Sequence, residues 1–175
     1  MGYRIERIGA GDWERLKAVR LAQLLDTPMA FVETHETALG HPESEWRDRA
    51  AAVNGPGRVG LVAVDVGGDS GDDGEWVGTM LTLPHPEEPA TAVLIGVWVA
   101  PEHRGRGRGA TDALLDAVLD WARAEGKDRV VLRVHEDNDR AAAFYRRRGF
   151  EFTGDAQPFV LDPATNTLRM VLALG

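Results

Sequence analysis

Arginine alternates with glycine over residues 104–109, and this pattern has the clearest chemical meaning in the chain. Glycine has no Cβ, so such a segment can turn sharply and bring consecutive backbone N–H groups close to an anion. A helix that begins directly after it adds first-turn N–H groups without intrahelical partners and the positive end of its dipole. The pattern therefore predicts a loop that binds phosphate or pyrophosphate. Its residues are Arg104, Gly105, Arg106, Gly107, Arg108, Gly109 and Ala110.

The segments on either side of this loop are the elements that must position it. Residues 92–100 are apolar and rich in β-branched side chains, as expected of a strand buried on both faces. After the loop, apolar side chains recur every three or four residues as far as Ala124, which predicts an amphipathic helix. A second strand follows over residues 130–134. The two strands are expected to be parallel, with the ligand at the carboxyl end of the first.

Asn138 and Tyr145 lie in the other segment that can carry chemistry, after the second strand. Asn138 stands where a helix would begin, so its side chain is expected to cap a backbone N–H group of that helix. Tyr145 follows on the same helix beside Phe144, where it can be a core aromatic residue or a hydroxyl donor. Gly149 is expected to end the helix in a left-handed conformation.

These two segments, in this order and at this separation, resemble the core of the GNAT superfamily of N-acetyltransferases. The first resembles that family's pyrophosphate-binding pattern, and the second its asparagine-to-glycine-phenylalanine block. A weaker match is the start of the chain, where a short strand precedes a helix capped by Asp12. The matching residues are Arg104, Gly107 and Gly109 in the first motif, and Asn138, Ala141, Tyr145, Gly149 and Phe150 in the second.

The resemblance implies a reaction and roles for individual residues. Acetyl-coenzyme A would be the acyl donor, and an amine would attack it directly in a ternary complex. Tyr145 resembles the family's tyrosine that protonates the departing sulfur, because a phenol can donate a proton without being charged itself. Asn138 would approach the pantetheine or acetyl region while also capping its helix. The backbone groups of Val97 and Val99 are expected to pair with the pantetheine amides, as an added strand would.

The arginines of the loop are expected to meet the phosphates to different degrees. Arg104 stands where the family has arginine or glutamine, and its charge can engage the phosphates directly. For Arg106 and Arg108, direct contact and a solvated position on the flank of the loop both remain open.

No residue is assigned as the general base by the sequence. Many relatives carry a glutamate or histidine on the central strand, whereas this chain has no ionisable side chain over residues 91–99. The candidates are Glu33, His35, His85 and His135, since each of them can accept a proton. A relay of water molecules remains equally open.

The rest of the chain completes the expected fold. Strands are predicted at 3–8 and as an antiparallel pair within 58–83, helices at 12–25 and near 43–53, and a closing strand that places Leu168 and Met170 on one face. The fold class is therefore α/β (α+β), a single domain over residues 1–175. Its mixed, mainly antiparallel sheet is expected to be splayed at a parallel strand pair and flanked by helices.

Two other functions agree with part of the sequence. Gly105, Gly107 and Ala110 also satisfy the glycine pattern of a dinucleotide-binding oxidoreductase, but only one strand–helix–strand unit is apparent. A non-catalytic module that binds acyl-coenzyme A as a sensor would use the same loop. Turnover with an amine separates that module from an enzyme.

Composition narrows the partners and the location. A net charge of −8 argues against a nucleic-acid partner and mildly favours cationic or amine substrates, although solubility also explains it. The chain has no cysteine and no metal-ligand spacing, and no membrane partner is expected. We expect a cytoplasmic protein, with homodimerisation possible. The amine acceptor, a small molecule or peptide, is expected to meet the segments 27–41 and 84–91 and the region of Phe159, with Trp98 a candidate for facing the same cleft.

Overall fold

A computed structural model describes residues 2–67, 74–105 and 109–175. Within them, seven strands form one sheet in the order β1-β2-β3-β4-β5-β7-β6. The strands are β1 (Tyr3–Arg7), β2 (Gly60–Asp65), β3 (Glu75–Pro84), β4 (Thr91–Val99), β5 (Arg129–His135), β6 (Glu151–Phe159) and β7 (Asp162–Ala173). The α-helices are α1 (Trp13–Asp26), α2 (His35–Leu39), α3 (Glu43–Ala52), α4 (Ala110–Ala124) and α5 (Asp139–Arg147).

The predicted mixed sheet is confirmed, and its one parallel pair explains the shape of the site. All described strand pairs are antiparallel except β4 with β5. That pair is in register only from Thr91 opposite Arg129 to Val93 opposite Val131. Beyond this point both strands continue, but each remains bonded only to its outer neighbour, β3 or β7. The sheet therefore opens into a cleft between the carboxyl halves of β4 and β5.

A β-bulge in β4 lies at the start of this opening. Thr79 of β3 pairs with Trp98, and Leu81 pairs with Ile95, so Gly96 and Val97 together face one residue of β3. Gly96 has a φ of +59°, and a Cβ added there would lie 2.9 Å from the Cδ1 atom of Leu81. Glycine is thus needed at this position for both its conformation and its small size.

The helices cover the two faces of the sheet and bury two apolar clusters. The amphipathic α4 packs Leu114, Leu115 and Val118 into the first cluster, together with side chains of β4 and β5. On the other face, α1 and α3 bury the second cluster around Trp46. Within the described residues, no helix has the length and the hydrophobic character needed to cross a membrane.

Three features differ from the sequence predictions or add to them. Asp12 occupies the N-cap position of α1, but its carboxylate accepts the Gly9 N–H at 2.6 Å and caps no N–H group of the helix. The helix α2 was not predicted. The strand β6 was also missed, because it lies at the edge of the sheet and most of its side chains are exposed, which removes the alternating pattern.

Candidate active site

The opening between β4 and β5 forms a first cavity of about 370 Å³. The bulged part of β4 lines one wall, and the end of β5 and the helix α5 line the other. The N-terminus of α4 closes one end. Most of the residues predicted to bind the cofactor lie around this cavity, while Arg106, Gly107 and Arg108 lie outside the described residues.

The end of the cavity beside α4 is suited to an anion. Gly109 is the N-cap of α4 with a φ of +80°, and Gly105 has a φ of +108°. Both glycines line the cavity together with Thr111, while Ala110 is fully buried beneath them. The first-turn N–H groups of α4 have no intrahelical acceptors, and Gly109 has no side chain to cap them. These groups remain available to a phosphate.

Arg104 lines the same cavity, but its guanidinium group is engaged by the protein. Its Nε atom donates to the Val99 carbonyl at 2.6 Å, and both terminal nitrogens contact the Asp26 carboxylate. Asp26 also accepts the indole N–H of Trp98 at 2.9 Å. Burial alone would raise the pKa of Asp26, but hydrogen bonds from Arg104, Thr27 and Trp98 outweigh it and lower the pKa to about 2.

Val97 and Val99 turn their backbone groups away from β3. The Ala100 N–H donates to Val77 of β3 at 2.8 Å, so the alternation of the strand directs Val99 and Val97 to the opposite edge. That edge borders the first cavity, and no described strand pairs with it there. The Val99 carbonyl accepts from Arg104, whereas the N–H groups of both valines remain for a ligand.

Asn138 caps α5 as predicted. Its side-chain oxygen accepts the N–H of Ala141 at 3.2 Å, and its own backbone N–H donates to His135. The side-chain amide nitrogen has no partner among the described residues, and Asn138 lines the first cavity. The Asn138 side chain therefore caps the helix through its oxygen, while its amide N–H groups remain free to donate to a ligand. Gly149 ends the helix with a φ of +89°, also as predicted.

Tyr145 lies in α5 with its ring in the core and lines the first cavity. The ring makes edge contacts with Phe144 and Phe150. Among the described residues the hydroxyl has no hydrogen-bond partner. Burial raises the pKa of the Tyr145 hydroxyl far above its ordinary value, so this group stays protonated at every physiological pH. The hydroxyl can therefore donate a proton to a group bound in the cavity.

Ion pairs join α5 to the first turn of α4. Arg148 donates to the Asp112 carboxylate at 2.7 Å and also contacts Asp116. Arg147 lies 3.6 Å from Asp112 and lines the cavity. These pairs neutralise the carboxylate nearest to the N-terminus of α4, which would otherwise repel an anion. The sequence indicated only a general role for these arginines as cations at a helix end.

A second cavity of about 630 Å³ lies against the other side of β4. Its walls come from α1, α3, β3 and the β6–β7 hairpin, including Phe31, Trp46 and Phe159. Leu94, Ile95, Gly96 and His135 line both cavities, so the two meet at the bulge of β4. Of the segments predicted to meet the acceptor, residues of 27–41 and Phe159 line this cavity and the segment 84–91 does not. That they meet an acceptor stays a prediction.

A hydrogen-bonded chain between the cavity and the bulge was missed by the sequence analysis. The Gln23 amide donates to the Thr79 hydroxyl at 2.7 Å, and that hydroxyl donates to the Gly96 carbonyl at 2.8 Å. Gln23 and Thr79 are both buried and line the second cavity. Gln23 stands at a polar position within an otherwise apolar helix face, which is the only signal of this chain in the sequence. These two hydrogen bonds fix the orientation of the Gly96 carbonyl at the bulge.

Glu33 is the centre of an ion cluster. Its carboxylate accepts hydrogen bonds from Arg20 and Arg49 at 3.0 Å and from His41 at 2.7 Å. Burial alone would raise the pKa of Glu33, but the bonds from Arg49, His41 and Arg20 lower it to about 2. A carboxylate held in this state is a poor acceptor for a substrate proton at neutral pH.

The other three base candidates differ in position. His35 and His85 line neither cavity. His135 lines both, and its Nδ1 atom accepts the Asp137 N–H at 3.2 Å. Its Nε2 atom lies 3.0 Å from the Thr165 hydroxyl, which itself donates to the Asp162 carbonyl. Nε2 must therefore carry the proton in that bond, and both ring nitrogens are occupied.

Trp98 is buried on the α1 side of the sheet, where its indole N–H bonds to Asp26. It lines the first cavity and not the second. Within the part of the chain that the structure describes, no group of three or more histidine, aspartate or glutamate side chains can hold a metal ion.

Comparisons with known proteins agree with this arrangement. A family model described as the acetyltransferase (GNAT) family matches residues 24–150. The L-amino acid N-acetyltransferase AaaT of Escherichia coli K12 is 29% identical over 126 residues, which cover 69% of this chain and 70% of that protein. A mycothiol acetyltransferase of Beutenbergia cavernae is 40% identical over 82 residues, or 47% of this chain. The match covers only 26% of that relative's length.

Similar solved structures support the fold. A putative acetyltransferase from Salmonella typhimurium, yncA, solved with its cofactor acetyl-CoA, has a TM-score of 0.77 at 20% sequence identity. The comparison covers 100% of this chain and 95% of that one. The fold of the described residues is therefore similar to the fold of that structure.

Proposed function

The chain belongs to the acetyltransferase (GNAT) family, and we propose that it transfers an acetyl group from acetyl-coenzyme A to an amino group of a small molecule or peptide. The observation that carries this proposal is the Tyr145 hydroxyl, free of partners and protonated, at the cavity between β4 and β5. A proton donor is needed where a thiolate leaves, and this cavity supplies one.

The residues of the first cavity fit an anionic cofactor with an amide-containing arm. The free N–H groups at the start of α4 suit the pyrophosphate, and the loop of Arg106, Gly107 and Arg108 continues from Gly105 towards them in sequence. The unpaired N–H groups of Val97 and Val99 suit the amide carbonyls of the arm. The free side-chain amide of Asn138 is a further donor on the same path. No unpaired carboxylate among the described residues lines this cavity.

The reaction forms one bond and breaks one, while the ammonium group loses two protons and the sulfur gains one. The first proton leaves before the nitrogen attacks, and the second leaves the bonded nitrogen for solvent as the amide forms. Tyr145 gives its proton to the sulfur and recovers one from solvent. Acetyl-coenzyme A supplies a thioester carbon to which the amine nitrogen bonds as the carbon–sulfur bond breaks. Tyr145 holds the proton that the sulfur takes up, because its raised pKa keeps the phenol neutral until charge develops beside it. The shared residues at the Gly96 bulge let an amine in the second cavity reach the first.

We propose that solvent in the second cavity accepts the proton that the ammonium group loses before it attacks. Glu33 is held ionised by three donors, and both nitrogens of His135 are already bonded. Neither residue can accept a proton without losing a contact that it has now. A water relay ending in bulk solvent needs no such loss.

The rival functions make different predictions. A dinucleotide-binding fold needs repeated parallel crossovers, whereas the described sheet has one parallel pair. A sensor module would bind acetyl-coenzyme A without turnover. The homodimer, the cytoplasmic location and the lack of nucleic-acid or membrane partners remain predictions.

The test combines binding with turnover. Isothermal titration should show binding of acetyl-coenzyme A and none of NAD or NADP. The variant Gly107→Glu, which places a carboxylate in the glycine–arginine loop, should lose this binding. Gly11→Glu adds the same charge at an exposed loop position with open space around it, so it should bind normally. Release of free thiol with an amine panel would establish the enzyme, and binding without any release would leave the sensor.

A further inference from the structure

The second cavity has a local charge opposite to that of the whole chain. Among the described residues four arginines line it, and no aspartate or glutamate does, although the net charge of the protein is −8. The rest of its wall is mostly apolar, with aromatic side chains from Phe31, Trp46 and Phe159. An anionic group in this cavity would therefore meet basic side chains, and the one that is free to bind it is the one without an acidic partner.

Three of the four arginines have acidic partners behind the wall. Glu33 accepts from Arg20 and Arg49, Glu45 also accepts from Arg49, and Asp155 pairs with Arg133. The fourth arginine is Arg58, in the loop after α3. Among the described residues it has no ion pair and no side-chain hydrogen bond, although it is half-buried.

A half-buried guanidinium group without an acceptor is costly unless a ligand completes its bonds. Its planar set of donors matches a carboxylate, which it can hold by two parallel hydrogen bonds. Resting on the proposed function, we propose that the acceptor is a free amino acid, an amine that also carries a carboxylate. Arg58 holds the carboxylate, and the apolar wall packs the rest of the molecule.

A free amino acid fits this cavity better than the other classes of amine that the sequence left open. A polyamine carries only positive charges, so it offers the unpaired Arg58 guanidinium no acceptor and places a like charge near it. An N-terminal amine of a protein has an amide where the free amino acid has a carboxylate, so it offers Arg58 no charge. Only the free amino acid satisfies both Arg58 and the apolar wall.

The first test needs no variant of the protein. Acetyl-coenzyme A turnover is measured by thiol release with L-leucine, L-methionine and L-phenylalanine, with the amide of each, with spermidine and with a short peptide. We expect kcat/KM to be at least about tenfold higher for one of the acids than for its amide, because the amide lacks the charge that strengthens the guanidinium bonds. Amides or spermidine as good as the acids would overturn the inference while leaving the proposed function intact.

Substitution of Arg58 tests the residue itself. Arg58→Gln should raise KM for the preferred acid about tenfold or more and leave turnover of the amide unchanged, whereas Arg58→Lys should recover part of the loss. Arg7→Gln, at an exposed position of β1 that lines neither cavity, is the matched control. Equal loss for the acid and the amide, or no loss for either, would contradict a carboxylate contact.

A binding measurement keeps the inference separate from catalysis. The N-acetylated form of the preferred acid is titrated into the protein while tryptophan fluorescence is followed, since Trp46 lines the cavity. We expect wild type to bind it and Arg58→Gln to bind it at least tenfold more weakly. If acetyl-coenzyme A itself fails to bind in the titration above, the proposed function fails. If acetyl-coenzyme A binds and the acid shows no advantage, this inference alone fails.

Discussion

Tyr145 is the residue whose two predicted roles a single variant can separate. From the sequence, Tyr145 could be either a core aromatic residue or a proton donor, and its surroundings in the structure fit both roles. The ring packs against Phe144 and Phe150, while the hydroxyl has no described partner and lines the cavity. A residue with only a packing role would not need the hydroxyl, so removing that one atom separates the two roles.

We expect Tyr145→Phe to lower kcat by roughly a hundredfold, the lower end of what a general acid contributes. The affinity for acetyl-coenzyme A should stay within about twofold, since the ring that packs in the core is retained. Steady-state kinetics and isothermal titration measure the two quantities. Tyr3→Phe is the matched control, because Tyr3 is the other tyrosine of the chain and its hydroxyl bonds to His103 outside the proposed chemistry. An unchanged kcat in Tyr145→Phe would leave Tyr145 as a core residue.

Arg104 shows that a sequence motif can mark a residue without specifying its hydrogen-bond partners. The pattern marks a cation at the start of the phosphate loop, but the side chain bonds to Asp26 and to the Val99 carbonyl. Asp26 lies at the end of α1, far away in the sequence, and nothing in the motif identifies it as a partner. This geometry favours a structural role in which Arg104 holds α1 against the loop. Backbone N–H groups would then bind the phosphates.

We predict that Arg104 and Asp26 are coupled in stability. A double-mutant cycle of Arg104→Gln and Asp26→Asn, measured by urea unfolding, should give an interaction energy of about 1–3 kcal/mol, as for partners in one network. Acetyl-coenzyme A binding should weaken little in Arg104→Gln. A large loss of that binding, with no coupling in stability, would instead make Arg104 a direct phosphate ligand.

At the scale of elements, the bulge in β4 connects the sheet to both cavities. One extra residue in the strand turns the backbone of Val97 towards the first cavity, and the Gln23–Thr79 chain holds the Gly96 carbonyl on the other side. The strand itself was readable from its run of apolar residues. The bulge was not, because one glycine within a strand also fits an ordinary edge or bend.

Replacing Gly96 tests this connection. Gly96→Ala requires a left-handed conformation for alanine and places a Cβ atom 2.9 Å from Leu81, so we expect a loss of about 1–2 kcal/mol in the free energy of unfolding. Activity should fall further than stability explains, because the displaced bulge moves groups in both cavities. Gly11→Ala, in open space and without a positive φ, should match wild type in both measurements. A variant that is less stable but fully active would show that the bulge has no part in catalysis.

The elements that were predicted well are those whose burial follows a simple period. The helix α4 has a continuous apolar face, and β4 and β5 are buried on both sides, so their patterns are strong. The edge strand β6 and the short helix α2 have mostly exposed side chains and gave no pattern. Sequence therefore identified the parallel strand pair and the helix α4, and its prediction of phosphate binding at the start of α4 stays a prediction.

For the proposed acceptor cavity the sequence indicated only the segment 27–41 and the region of Phe159, because the rest exists only in the whole molecule. Gln23, Arg58 and Thr79 come from α1, the loop after α3 and β3, and no local spacing relates them. The net charge of the chain even suggested cationic substrates, whereas the cavity wall is lined with arginines. Only the tertiary fold brings those arginines together and leaves their acidic partners behind the wall.

The ion pairs that hold these parts together make the whole molecule sensitive to acid. Asp26 and Glu33 each have a pKa of about 2 in the folded protein, against 3.8 and 4.5 for the same groups without partners. Between pH of about 4.5 and 2 the unfolded chain therefore binds more protons than the native one, so the free energy of unfolding falls as the pH is lowered. Above this window the contribution is fully present.

Urea unfolding at a series of pH values tests this directly. We expect the free energy of unfolding of wild type to decline steeply below pH 4.5, and Glu33→Gln to be less stable at pH 7 but to decline less steeply. Removing one such group should reduce the slope by up to about 1.4 kcal/mol per pH unit, the equivalent of one proton. Glu14→Gln, at an exposed position of α1, should keep the wild-type slope. Parallel curves for wild type and Glu33→Gln would mean that the ion cluster contributes nothing to acid sensitivity, and its bonds to Arg20 and Arg49 would then serve only to orient the wall of the second cavity.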